Sequence, residues 1–324
     1  MYETAIEARG LGKRYDELWA LRGLDLDVPV GTVLGLLGHN GAGKTTAIRV
    51  LTTLSEPTEG SATVAGHDVV AAAPQVRADI GVAAQAATVD GLLSGRANLE
   101  MIGRLYRLPR SVARRRAGEL LERFGIADAG DRLVKGYSGG MRRRLDLAAS
   151  LIADPPVIFL DEPTTGLDPA ARRELWTVIR ELTAGGTTVL LTTQYLDEAD
   201  ALADDIVVLD HGQAIAHGSP AELKARIGGN RLEVVVESAA ELSRADDALR
   251  AFADGEASHD AEARRLVVPL LEGVRLVEVV RALDAAGVEA VDVQRREPTL
   301  DDVFLSLIGH SDAARDESRE AAAA

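Results

Sequence analysis

The 324-residue sequence contains no cysteine. That excludes a disulfide framework, a zinc–thiolate site and a cysteine nucleophile, and it suits a reducing compartment. No run of 18 apolar residues occurs, so the sequence predicts no membrane-spanning helix. The opening MYETAIEARGLGKRY carries charges where a signal peptide is apolar. Basic residues are outnumbered 36 to 51, a net charge of −15, which argues against a protein whose task is gripping nucleic acid phosphates. Lysine is scarcer still: Lys13, Lys44, Lys135 and Lys224 are the only four. No tandem repeat is visible. What is present is ordinary globular material, 46% hydrophobic and 27% charged, enough for one or two domains with a buried core. The charge is uneven. Residues 229–324 hold 11 basic and 21 acidic side chains, a net of −10, which leaves −5 for the first 228.

Periodicity sets the organisation. Ala5–Ala8 and Leu24–Val28 alternate as half-buried strands do. Thr32–Leu37, Val157–Leu160 and Thr188–Leu191 are short apolar runs suited to fully buried strands, and Thr45–Leu54 and Ala170–Leu182 read as helices. Buried strands alternating with helices predict an α/β layer architecture with a mainly parallel sheet. Residues 91–150 read as mostly helical, with Ser111 the expected N-cap of a helix that aligns Val112, Leu120, Leu121 and Phe124 on one face. A boundary is expected at Gly228-Gly229. Beyond it Leu232–Val236, Leu266–Val268 and Val288–Val293 read as strands, and Thr299-Leu300-Asp301-Asp302 as a helix start. Residues 310–324 read as a polar, flexible tail.

Gly38-His39-Asn40-Gly41-Ala42-Gly43-Lys44-Thr45 matches G-x-x-x-x-G-K-[ST] between a predicted strand and a predicted helix, the context this motif requires. Its glycines let backbone N–H groups curl around phosphate oxygens, and the helix N-terminus adds positive potential. Lys44 is the side chain to reach the β- and γ-phosphates, and the Thr45 hydroxyl a ligand for Mg²⁺. Val157–Leu160 delivers Asp161 and Glu162 to the carboxyl end of a buried strand, where ligands gather in open α/β sheets. Asp161 suits Mg²⁺, and Glu162 suits polarising a water for attack on a γ-phosphate. The six histidines show no linear metal-ligand spacing, so no metal other than Mg²⁺ is expected. Arg114–Arg116 and Arg142–Arg144 have no interleaved aromatics and read as solvated helix faces, with no nucleic acid partner.

The ordered set of motifs resembles the ATP-binding subunit of an ABC transporter. Tyr137-Ser138-Gly139-Gly140-Met141 is similar to the family signature. Asp161 to Pro169, DEPTTGLDP, is similar to its Walker B and D-loop run. Gln85 stands at the Q-loop glutamine, and Tyr15 at the aromatic that stacks on adenine, with Trp19 the competing aromatic. The resemblance covers residues 1 to about 225. It implies a P-loop NTPase (RecA-like) core over residues 1–228 with an inserted helical subdomain at about 90–150; the strands and helices beyond the boundary read as a small C-terminal α/β assembly or regulatory domain at 229–309. It further implies that two copies close head to tail over two ATP molecules. Each ATP would be held by Gly38–Thr46 (Gly38, His39, Asn40, Gly41, Ala42, Gly43, Lys44, Thr45 and Thr46) of one copy, and by Ser138, Gly139 and Gly140 of the other. Tyr15, Gln85 and Asp168 would also contact the nucleotide, Gln85 would join Thr45 and Asp161 around Mg²⁺, and Lys44, Glu162 and Gln194 would form the catalytic set. A narrower resemblance, carried by YSGGM, LLTTQYLDEAD at 190–200 and REPTLDDVF at 296–304, is to the daunorubicin/doxorubicin resistance ATP-binding proteins. It implies export of a hydrophobic compound through a separate ABC-2-type membrane subunit, from the cytoplasmic face of the cell membrane, with an anthracycline-like drug as the suggested cargo and another antibiotic, a lipid or a polysaccharide as the alternatives. ABC-type ATPases that act on DNA or ribosomes are a second reading, but they carry coiled coils, zinc modules or tandem ATPase domains, which this sequence lacks. Sequestration of drug by the subunit itself is a third.

Two residues depart from the family pattern. Met141 replaces the signature glutamine, and Gln194 replaces the usual histidine. Glutamine hydrogen-bonds a phosphate oxygen but never becomes a cation. Steady-state ATPase rates between about pH 6 and pH 9 are expected to show a histidine titration in Gln194→His that the wild type lacks; profiles of the same shape would overturn this.

Overall fold

The computed structural model describes residues 3–84, 88–226, 229–271 and 273–306. Strands are β1 (Thr4–Tyr15), β2 (Leu18–Pro29), β3 (Val33–Leu37), β4 (Glu59–Val64), β5 (His67–Asp68), β6 (Ile80–Ala83), β7 (Val157–Asp161), β8 (Thr188–Thr193), β9 (Asp205–Asp210), β10 (Gln213–Gly218), β11 (Arg231–Val236), β12 (Ser258–Asp260), β13 (Arg265–Pro269) and β14 (Ala290–Arg296). Helices are α1 (Lys44–Leu51), α2 (Ala73–Asp79), α3 (Gly95–Leu105), α4 (Arg110–Arg123), α5 (Gly139–Ser150), α6 (Pro169–Ala184), α7 (Leu196–Leu202), α8 (Pro220–Arg226), α9 (Leu242–Leu249) and α10 (Leu276–Ala285).

The chain divides into two compact units between Pro220 and Ala221, ahead of the Gly228-Gly229 pair. The glycines looked like a linker because their composition breaks the pattern. The earlier signal is Pro220, whose fixed φ suits the first residue of a helix.

In the first unit, strands in the order β10-β9-β3-β8-β7-β6 form a six-stranded sheet, and β2-β1-β4-β5 a separate antiparallel one. Strands β9, β3, β8, β7 and β6 run parallel, and β10 returns antiparallel on β9. Every residue of β3, β7 and β8 is buried, as expected of a parallel sheet covered on both faces. Side chains alternate between two cores. Val157 and Phe159 of β7 join one, with Leu36, Ile48, Leu51 and Leu190. Ile158 and Leu160 join the other, with Leu120, Leu121, Phe124 and Leu145 of the helical segment. Each such side chain contributes about 1.5–3 kcal/mol through burial. The packing aims the carboxyl ends of β3, β7 and β8, and therefore Gly38, Asp161 and Thr193, at one edge of the sheet.

Helix α4 corrects one expectation. It begins at Arg110 after Pro109, which places Ser111 inside the first turn and not at the cap. Pro109 fixes the entry, and its carbonyl accepts the first helical bond from Ala113 N at 2.9 Å. Serine capping occurs at α3 instead, where Ser94 Oγ accepts from Ala97 N at 3.2 Å.

The second unit contains a wholly antiparallel sheet, β12-β13-β11-β14. Leu232, Val234 and Val236 of β11 alternate inward against Leu249, Leu266, Val268, Val279 and Leu283. Residues 300–306 are helical, and the Thr299–Asp302 start forms as a capping box. Thr299 N donates to Asp302 Oδ2 at 2.8 Å, and Asp302 N to Thr299 Oγ1 at 3.4 Å. Arg296 donates to the same carboxylate at 2.6 Å and to Glu233 at 3.2 Å. The tail expected over 310–324 lies outside the described residues.

Candidate active site

The loop after β3 wraps around its own lysine. Lys44 is buried, and its Nζ donates to the carbonyls of Gly38 at 2.7 Å and His39 at 3.1 Å. Gly43 sits at φ 109°, where a Cβ would lie 2.6 Å from the Ala20 carbonyl of β2, so no other residue fits this turn. Helix α1 has no side-chain cap and no acidic residue in its first turn. Its positive end is thus left for an anionic ligand, beside Gly41, Ala42 and the half-buried Thr46.

Asp161 ends β7 against this helix. Thr45 Oγ1 donates to its two carboxylate oxygens at 3.1 and 3.3 Å, and the buried Thr192 hydroxyl of β8 donates to Oδ1 at 2.6 Å. Three elements therefore meet at one carboxylate. A hydroxyl and a carboxylate side by side are hard oxygen donors, and the pair fits Mg²⁺. Glu162 follows at φ 48°, a strained left-handed conformation for a non-glycine residue. It is held there by its N–H, which donates to Thr192 Oγ1 at 3.0 Å. Its Oε1 lies 3.5 Å from Lys44 Nζ. Burial pulls the Lys44 ammonium below the usual lysine range, opposed by Glu162 and then Asp161.

Arg143 corrects the reading of Arg142–Arg144 as a uniformly solvated face. Its guanidinium donates to the carbonyls of Ala84 (2.9 Å), Asp161 (3.0 Å), Glu162 (3.0 Å) and Pro163 (2.8 Å). Burial draws it below the usual arginine range. Successive helical residues point about 100° apart, so one of three adjacent arginines can turn inward, and no linear pattern says which. Arg143 stitches α5 to the end of β7 and to the residue before Gln85. It is a positioning residue that sequence reasoning missed.

The remaining candidates are distributed around this centre. Ser138 caps α5, accepting from Met141 N at 3.2 Å. Gly139 is exposed, and a Cβ built on it would meet nothing within this chain, while at Gly140 it would meet only Leu167 at 3.9 Å. Asp168 caps α6 with 2.9 Å bonds from Ala170 N and Ala171 N, which hold its carboxyl below the usual range, chiefly through Ala171. Tyr15 ends β1 with a 43% exposed ring, and Lys13 Nζ lies 5.1 Å from its centre. Its partner strand β2 is the one that touches Gly43. Trp19 is half-buried and faces Arg14 and Arg22. Asn40 and Gln194 are exposed, and Gln194 follows the end of β8. Gln85 lies outside the described residues.

A second residue invisible to motif reading is Glu198, in the first turn of α7. It is completely buried and accepts from Trp176 Nε1 at 3.2 Å. Burial pushes its carboxyl above the usual glutamate range, partly offset by Thr193, Thr164 and Trp176.

A phosphate loop on a parallel sheet, with an acid pair at the end of β7 and a serine-glycine helix start, defines a P-loop ATPase of the ABC class. Comparison with known proteins agrees. Residues 21–165 match the family model described as "ABC transporter", and residues 218–308 that of "ATP-binding protein DrrA1-3-like, C-terminal domain". The chain is 55% identical to the daunorubicin resistance ATP-binding protein DrrA2 of Streptomyces coeruleorubidus, covering 98% of this chain and 99% of that one. It is 47% identical to the daunorubicin/doxorubicin resistance ATP-binding protein DrrA of Streptomyces peucetius, covering 98% and 96%. Among solved structures it is similar to cbiO1 from Clostridium perfringens, part of the ABC transporter complex cbiONQ, with TM-score 0.64, 26% identity and coverage of 70% and 92%. This chain belongs to the daunorubicin resistance family of ABC transporter ATP-binding proteins. It is an ATPase subunit, and among its described residues no helix is long and apolar enough to cross a membrane.

Glu198 supplies a test of the buried framework. A carboxyl with a pKa higher in the folded than in the unfolded state costs nothing while protonated, and destabilises increasingly as pH rises through the folded value. Glu198→Gln keeps the shape without the charge. The Tm difference between variant and wild type is expected to shift in the variant's favour from about pH 5 to about pH 8. A difference independent of pH would overturn the assignment.

Proposed function

We propose that two copies of this chain close around two ATP molecules and use hydrolysis to drive export of a hydrophobic, anthracycline-like compound through a separate ABC-2-type membrane subunit. The observation that carries the reading is the convergence of Lys44, Thr45, Asp161 and Glu162 at the uncapped start of α1. Backbone N–H groups of Gly41 to Thr46 bind the phosphates, and Tyr15 stacks on adenine. Lys44 exchanges its contact with Glu162 for the β- and γ-phosphates. Thr45, Asp161 and Gln85 would hold Mg²⁺, which would supply positive charge against the phosphates. Glu162, released from Lys44, takes a proton from water as its oxygen bonds to the γ-phosphorus. The bond to the β-phosphate oxygen breaks, leaving ADP and phosphate. Gln194 hydrogen-bonds the γ-phosphate.

The partner copy supplies Ser138, Gly139 and Gly140, and Asp168 lies at the same interface. The open space where a Cβ would stand at Gly139 supports this, since nothing within the chain requires glycine there. Glycine suits the close approach of a ligand held by another copy. The membrane subunit is met from the cytoplasmic face, and the drug as cargo follows the resistance for which the relatives are named. The acidic residues 229–324 are suited to a protein partner and poorly suited to anionic lipid headgroups.

Glu162→Gln is expected to bind ATP, form an ATP-dependent dimer by light scattering and lose about 10²–10⁴-fold in turnover. Lys44→Ala is expected to weaken nucleotide binding and form no such dimer. Normal phosphate release from Glu162→Gln would overturn the role given to Glu162. Drug bound by the isolated subunit with no effect of a co-expressed ABC-2 subunit on efflux would replace export by sequestration.

A further inference from the structure

A second polar cluster stands beside the phosphate loop. His39, Asp210 and His211 offer ligand atoms that all lie within 4.8 Å of one another. Asp210 ends β9 with a side chain only 6% exposed. His211 and Gly212 follow at φ 46° and 80°, and Gln213 pairs back onto Asp210. This is a two-residue hairpin of the type that needs positive φ at both central positions. The hairpin is tied to the phosphate loop, because Gly212 N donates to the Ala42 carbonyl at 2.9 Å.

Both ring nitrogens of His39 face oxygen acceptors. Nδ1 lies 2.6 Å from the Asn40 carbonyl and must donate to it. Nε2 lies 3.0 Å from Asp210 Oδ1, also an acceptor. An imidazole that donates from Nδ1 leaves Nε2 as a lone-pair donor beside the carboxylate, the arrangement a shared metal ion suits. The second imidazole favours the metal. His211 Nε2 lies 3.7 Å from the same carboxylate oxygen, too far for a hydrogen bond. Ligands at 2.0–2.1 Å from a tetrahedral ion stand roughly 3.3 Å apart, so both separations lie near a chelate edge. Two imidazoles and a carboxylate with open positions suit zinc and its neighbours rather than Mg²⁺, which prefers oxygen. Linear spacing hid the cluster, because Asp210 lies 171 residues beyond His39 and the β3–β9 pairing brings them together.

We infer that His39, Asp210 and His211 form a site for a divalent transition-metal ion of the zinc class, which lashes the phosphate loop to the β9–β10 hairpin. The site is distinct from the Thr45–Asp161 pair. It makes the mobility of the phosphate loop responsive to such ions.

The test uses the full chain without an affinity tag, in excess Mg²⁺. Titration calorimetry with Zn²⁺ is expected to give one equivalent bound and a rise in Tm. Co²⁺ is expected to give visible bands that report nitrogen ligation in the wild type, whatever the variants do. His211→Asn removes the exposed imidazole and keeps a residue that tolerates positive φ. It is expected to weaken Zn²⁺ binding by about tenfold or more, as is His39→Asn, while His217→Asn leaves it unchanged. Absence of stoichiometric Zn²⁺ binding would overturn the proposal, as would wild-type affinity in both His211→Asn and His39→Asn.

Discussion

The structure depends on keeping opposite charges together in a nearly dry place. Lys44 is an ammonium with 5% of its side chain exposed, and Glu162 a carboxylate with 10%. Removing either charge from water costs several kcal/mol unless a partner offsets it. Lys44 receives two carbonyls of its own loop and the carboxylate of Glu162; Asp161 receives two threonine hydroxyls. The β- and γ-phosphates that the motif is built to hold carry the charge that would draw Lys44 from Glu162. Under the proposed mechanism binding and activation are thereby linked, because the group that neutralises Lys44 here is the one proposed as the base.

This arrangement requires β3, β7 and β8 to end at one edge, and the two hydrophobic cores ensure it. A one-residue slip of β7 would exchange Phe159 with Leu160 between cores and turn Asp161 away from Thr45. Arg143 adds a second constraint by collecting four carbonyls around the end of β7. The same helix begins at Ser138, the start of the signature. The signature helix and the acid pair are therefore tied together through one side chain.

Much of this was legible without coordinates. The phosphate loop declares itself because backbone curvature and phosphate geometry demand glycines, a lysine and a hydroxyl at fixed spacing. The buried strands declare themselves because both faces must be apolar. Less was legible where the deciding neighbour is remote. Ser111 has the chemistry of a cap but stands one residue inside a helix that Pro109 starts. Arg143 and Glu198 resemble solvated charges until the packing of α5 and α7 encloses them.

Local chemistry determined the nucleotide site, the alternation of strands and helices, and the family, since each rests on residues close in sequence whose spacing obeys backbone geometry. Tertiary structure alone decided which charges are buried, which arginine of three points inward, and that His39 meets Asp210 and His211. Those outcomes depend on strands distant in sequence lying side by side, and a parallel sheet brings together residues whose separation along the chain carries no trace of the contact.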